Sequence, residues 1–329
     1  MKSVCLRWAG GLAVGTALAA STYADQLQDT DALAWLQKIA GAARQLSYEG
    51  TFVYQHGDMV ETSKIIHMVD GASEYEKLST LDGPPREVIR NNEEVLSYYP
   101  EIKTVRAEKR AGKRTFPALP PELLTNITEH YDVRRGDVER VAGFDAQALV
   151  LEPRDGFRYG HKFWAEIGSG LLLKARMFGE RHQVIEQFAF TQLKIGGKIS
   201  LDEVRSSYQS EQDKWKHDRF ASNDAKDSDS GWVIKNQPAG FRKVYEMRRS
   251  KQGGGAQLLT HIVLTDGLAA VSVFIEPSSL KQKVNEGPAQ HGAINIYTRI
   301  VGEQRVTVLG ETPAATVAQI ANSLAPRGR

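Results

Sequence analysis

The feature that most constrains this chain is an alternation of side chains at period two, recurring from residue 48 to residue 193 and broken only by short turn sequences. Side chains on a strand point alternately to its two faces, so such runs read as half-buried strands. They cover residues 48–54, 60–69, 73–81, 86–90, 95–99 and 104–107, then 131–135, 138–141, 146–152, 159–166, 171–178 and 183–193. Gly57-Asp58, Asp82-Gly83-Pro84-Pro85, Gly143, Asp155-Gly156 and residues 168–170 lie between them as turns. A short helical stretch is expected at 122–127, after Pro117, Pro120 and Pro121. One amphipathic helix precedes all the strands. From Asp29 onward, Leu33, Leu36, Ile39, Ala40, Ala43 and Leu46 recur at three- and four-residue spacing, with Thr30 or Asp31 placed to cap it. Many strands with short turns behind a single helix predict a large, strongly curved antiparallel sheet.

Between residues 206 and 230 the composition shifts to Ser, Asp, Lys, Gln and Asn with almost no aliphatics, which reads as a linker. Residues 231–329 then form a second, smaller unit, with strand-like runs at 232–235, 241–248, 257–265, 269–276, 293–301 and 304–309. Thr312-Pro313 starts a final helix whose buried stripe is Val317, Ile320 and Leu324. The expected class is α+β, mostly antiparallel β. A first domain over 25–205 is joined by the 206–230 linker to an antiparallel sheet with one packed helix over 231–329.

Residues 1–24 read as a cleaved export signal. Lys2 and Arg7 precede an apolar run at 9–20, and Thr22-Tyr23-Ala24 places small residues where a signal peptidase cuts. The apolar run is too short to span a hydrocarbon core of about 30 Å. Cys5, the only cysteine, is lost with the signal, so no disulfide or thiolate chemistry is expected in the mature chain. The full chain has 42 Lys+Arg and 40 Asp+Glu; the signal removes two cations, leaving 40 of each sign. That balance argues against nucleic acid as a partner, because phosphate binding needs a basic excess.

No nucleophile elbow, phosphate-binding loop, dinucleotide turn or zinc-binding helix motif occurs, so neither catalysis nor a cofactor is expected. The eight histidines are scattered singly. Two stretches echo each other, 67–71 (HMVDG) and 261–267 (HIVLTDG). A His/Asp acid-base pair is one reading; a strand running into an Asp-Gly turn is the favoured one. Three neighbouring runs carry large apolar side chains, and strand parity picks out Phe163, Leu171, Leu173, Met177, Phe188 and Phe190 for one face. They line either an acyl-binding lumen or a filled core. Lys109, Arg110, Lys113 and Arg114 form a basic segment suited to anionic head groups, or simply a solvated face. Arg242, Lys243, Arg248 and Arg249 form a second basic edge able to steer an acidic partner.

Residues 50–54 (GTFVY), 78–90 (LSTLDGPPREVIR), Gly231-Trp232, 238–241 (PAGF) and 261–276 (HIVLTDGLAAVSVFIE) resemble the MucB/RseB family of sigma-E regulators, in order and across nearly the whole mature chain. The resemblance implies an N-terminal domain like the lipoprotein carriers LolA and LolB, an unclosed barrel with covering helices, and a smaller C-terminal domain. It also implies a periplasmic protein that binds the periplasmic region of an RseA/MucA-type anti-sigma factor and shields it from site-1 proteolysis. Lipopolysaccharide or lipoprotein acyl chains would act as the releasing signal. A homodimer stays open, as does a plain lipid or lipoprotein carrier of LolA type.

Overall fold

The computed structural model describes residues 17–92, 94–109, 126–220, 229–250, 258–278 and 285–327, with side chains from Asp31 onward. Residues 1–16 of the expected signal at 1–24, the basic residues Arg110, Lys113 and Arg114, the side chains of Lys109 and Arg249, and residues 122–125 of the expected short helix lie outside the described residues.

Helix α1 spans Ala17–Gln45, starting earlier than the apolar spacing predicts. Residues 17–28 are Ala-rich and free of Gly and Pro, so helix propensity extends it beyond its packed face. The strands that follow are β1 (Tyr48–His56), β2 (Met59–Asp70), β3 (Ser73–Thr80), β4 (Glu87–Arg90), β5 (Glu94–Tyr99) and β6 (Thr104–Lys109). After the short α2 (Ile127–His130) come β7 (Tyr131–Val141), β8 (Phe144–Pro153), β9 (Gly160–Glu166), β10 (Leu172–Phe178), β11 (Val184–Ile195) and β12 (Lys216–Phe220). All twelve join one open sheet in the order β12-β6-β5-β4-β3-β2-β1-β11-β10-β9-β8-β7. The first and last hairpin series meet where β1 pairs with β11, which wraps the sheet without closing it.

Alternation decides which face is buried. Leu149 and Leu151, Phe163 and Ala165, and Phe188 and Phe190 project from alternate positions to the concave side, where Ala32, Leu36, Ile39, Ala40 and Ala43 of α1 cover them. Burying these side chains at about 25 cal/mol per Å² holds the helix in the curve of the sheet. Polar contacts tie its middle to the sheet: Arg135 of β7 pairs with Asp31, and Lys38 Nζ donates to the Ile167 carbonyl at 2.6 Å.

The expected linker divides in two. Residues 206–220 belong to the first domain: Tyr208 and Trp215 pack on Tyr98 and Val105 on the convex face, and β12 runs parallel to β6. Glu87 anchors the turn into this segment, accepting hydrogen bonds from Ser206 Oγ at 2.7 Å and Ser207 N at 2.9 Å beside the Lys77 ammonium. Two aromatic side chains among polar neighbours were enough to hold a stretch whose average composition reads as linker.

The second domain contains β13 (Trp232–Ile234), β14 (Arg242–Ser250), β15 (Leu258–Thr265), β16 (Ala270–Pro277), β17 (Gly287–His291), β18 (Ile294–Val301) and β19 (Gln304–Gly310). Helix α3 (Ala314–Ser323) and β20 (Leu324–Pro326) end it. Six strands order as β14-β15-β16-β19-β18-β17, β13 pairs with β20, and Val317, Ile320 and Ala321 of α3 bury against Val271, Val273, Val306 and Val308. The fold is therefore the expected one: an unclosed antiparallel sheet with a covering helix, plus a smaller sheet with a packed helix.

Candidate functional site

The two domains meet along a seam built from loops and turns, and Arg158 lies at its centre. The β8–β9 connection carries this arginine inward, and its side chain is wholly buried, as is that of Asp266 in the β15–β16 turn. Arg158 Nε donates to Asp266 Oδ2 at 2.9 Å, its other nitrogens donate to Asp155 and to the Ala239 carbonyl, and the guanidinium rests 5.1 Å from the Phe241 ring centre. Asp266 is fully engaged, accepting from Tyr131 Oη at 3.2 Å, Leu268 N at 3.0 Å and Ala269 N at 2.9 Å. A buried ion pair persists only when its remaining donors and acceptors are satisfied, and here every one named is. Burial and then the Asp266 charge push the Tyr131 hydroxyl well above its usual range, so it stays a donor.

The same turn drives Leu268 against the aromatic core of the first domain. Asn295 Nδ2 donates to Tyr159 Oη at 3.1 Å, and Thr316 Oγ1 donates to the Phe157 carbonyl at 2.7 Å. Gly240 lies against His130 and Arg158 at φ +79°, where an added methyl would collide with both side chains. Behind Arg158, His161 stacks on Phe163 with ring centres 5.7 Å apart; burial, opposed by Asp266, lowers its pKa to about 4 and keeps it neutral.

The residues expected to line one apolar face are all buried but do not form one group. Phe163, Leu171, Phe188 and Phe190 share the core under α1. Leu173 packs with Trp164, Val141, Ala146 and Ala148 on the other side of the sheet. The register shifts between Leu172 and Lys174, which changes the parity from which the set was chosen. Met177 sits farther along, opposite His161 on one side and Glu186 on the other. A pocket of about 290 Å³ lies between β1, β2 and β11, lined by Glu49, Gly50, Thr51, Lys64, Gln192, Leu193 and Lys194.

The basic edge of β14 is partly neutralised from within. Arg242 and Lys243 are exposed, Lys243 pairs with Glu246, and Arg248 donates to the Ser230 carbonyl. Lys109 ends β6, the strand next to the sheet's β12 edge. Sequence reasoning missed Arg158 altogether, because a cation in an Asp-Gly-containing turn is indistinguishable from a solvated one until its partner, 108 residues away, is placed.

These features define a class: two-domain proteins in which a helix and a tethered second domain together close an open, curved sheet. The MucB/RseB N-terminal domain model matches residues 31–208 and the MucB/RseB C-terminal domain model matches 226–325. The sigma factor AlgU regulatory protein MucB of Pseudomonas aeruginosa is 32% identical over 91% of this chain and 92% of its own length. The sigma-E factor regulatory protein RseB of Haemophilus influenzae is 23% identical over 97% and 98%. Among solved structures, the Pseudomonas aeruginosa MucA/MucB complex contains a chain similar to this one with a TM-score of 0.71 and 28% identity, covering 91% of this chain and 100% of that one. The chain belongs to the MucB/RseB family.

Proposed function

We propose that this chain is a periplasmic negative regulator of a sigma-E-type envelope stress response. It binds the periplasmic region of an RseA/MucA-type anti-sigma factor, shields that region from site-1 proteolysis, and lets go when a lipopolysaccharide, lipid or lipoprotein signal arrives. One observation carries the reading: both domains, in order and over nearly full length, correspond to a MucB chain solved together with MucA.

The architecture supports a switch of this kind. The concave core is filled by α1 and closed by Leu268, so an acyl chain entering there must displace one of them. A ligand that prefers a displaced arrangement weakens any partner that prefers the closed one, by the difference between its two affinities. On this reading the first sheet, with 206–220 included, senses the lipid, while the second domain, with Arg242 and Lys243 on its edge strand, holds the anti-sigma segment.

The test is a titration of residues 25–329 with a peptide of the anti-sigma factor's periplasmic region, repeated with lipopolysaccharide. Micromolar or tighter binding that the lipid weakens is expected. Tight binding indifferent to the lipid removes the sensing role, and no binding transfers the assignment to a periplasmic lipid carrier.

A further inference from the structure

Glu186 stands on the concave side of β11, directly opposite His56 on β1 and Met177 on β10. It is half-buried, and its Oε2 atom is shut off from solvent without a hydrogen-bond partner. Across the seam stands Glu311, in the turn between β19 and α3 of the second domain, close enough for the two charges to repel. His56 also faces the second domain: a methyl at Gly292, in the β17–β18 turn, would fall 2.6 Å from its Nδ1 atom, which is likewise enclosed without a partner. The groups facing Glu186 are thus Tyr54 and His56 from β1 and Glu311 from the second domain, with Glu61 of β2 acting on Tyr54.

We propose that Glu186 and Glu311 form a proton-dependent catch between the domains, held when Glu186 carries a proton and loosened when it ionises. Two carboxylates facing each other across a seam cannot both ionise without cost, and a neutral carboxyl removes the repulsion. Burial first, and then the Glu311 charge, push the Glu186 carboxyl up to about 7, with the Tyr54 hydrogen bond acting the other way. The sign follows directly. A carboxyl raised above its unfolded value favours the closed arrangement at low pH, and that contribution fades as pH rises through about 7. The catch concerns the Glu311 side of the seam; the buried Arg158–Asp266 pair lies elsewhere along it.

The mature chain has no cysteine of its own, so spin labels can be placed cleanly at Val184→Cys and Ala314→Cys, both exposed positions flanking the catch. The distance between them is measured by double electron–electron resonance from pH 5.5 to pH 8.5. The expected result is a longer or broader distance distribution as pH rises, with a midpoint within about one unit of 7. Glu186→Gln should hold the short distance throughout. Glu311→Gln, at an exposed residue whose replacement does not threaten folding, should move the midpoint to lower pH. A distance constant with pH in the parent chain overturns the proposal. So does a transition that survives Glu186→Gln, or a midpoint that Glu311→Gln leaves unmoved.

Discussion

Arg158 and Asp266 pair at 2.9 Å with neither side chain reaching solvent, and they belong to different domains. The pair therefore ties the two domains together alongside the Asn295–Tyr159 and Thr316–Phe157 hydrogen bonds and the Leu268 contact. Removing one partner leaves the other charged and buried, and Arg158→Ala should lower stability by about 3–5 kcal/mol. Replacing both with apolar side chains, Arg158→Met with Asp266→Leu, should recover at least half of that loss. Urea midpoints of the parent and the two variants decide the matter; a single-variant loss below about 1 kcal/mol would mean water reaches the pair.

Gly240 should be intolerant of any side chain. Its backbone is left-handed, and a methyl there collides with His130 and Arg158. Gly240→Ala should cost at least about 1–3 kcal/mol from the backbone alone and should also displace the Arg158 guanidinium. Gly302, also left-handed but with open space around it, serves as the control. Gly302→Ala should show the backbone cost without the collision, so the difference between the two thermal midpoints reports the seam.

Period-two runs made the strands of both domains legible, and the three- and four-residue apolar spacing made the leading helix legible, because each pattern is encoded locally by near neighbours in the chain. Both Asp-Gly pairs in the echoed stretches are turns, with Gly71 at φ +60° and Gly267 at φ +110°, and His261 stacks on Phe274 and hydrogen-bonds Ser272 Oγ at 3.1 Å. The sequence did not show that Asp266 has a second role beyond its turn, gripping Arg158. Nor did parity place Leu173, since one register shift at β10 reverses it. Both failures have one physical origin: charge pairing across a seam and bulge position are decided by residues far apart in the chain. The resemblance nonetheless drew on residues 238–241 and 261–276, which supply Ala239, Phe241 and Asp266 to that seam.

The basic segment following β6 offers a test of head-group recognition. Reversing the charges at Lys109, Arg110, Lys113 and Arg114 should weaken lipopolysaccharide binding severalfold and leave anti-sigma peptide binding unchanged. The lipid affinity should also fall as salt is added, since exposed charges are screened within about 10 Å at 0.1 M ionic strength. Equal lipid affinity in the reversed variant would assign the segment to the solvated surface.

His161 and Glu186 should oppose each other in the pH profile of stability. Buried His161 is held down to about 4, so the unfolded chain takes up its proton first, and stability falls as pH drops below about 6.5. Glu186, held up to about 7, keeps its proton longer in the folded chain, so its contribution grows as pH falls over the same range. At its steepest, the histidine effect approaches about 1.4 kcal/mol per pH unit. Between pH 7 and pH 5 the parent chain should therefore change little on account of these two groups. Glu186→Gln should lose stability on acidification, because the histidine is then unopposed. His161→Phe, which keeps a ring against Phe163, should gain relative to the parent over the same interval. Urea midpoints at pH 7 and pH 5 for the three chains separate the terms, and parallel profiles for parent and His161→Phe would show that the imidazole finds water in the folded protein.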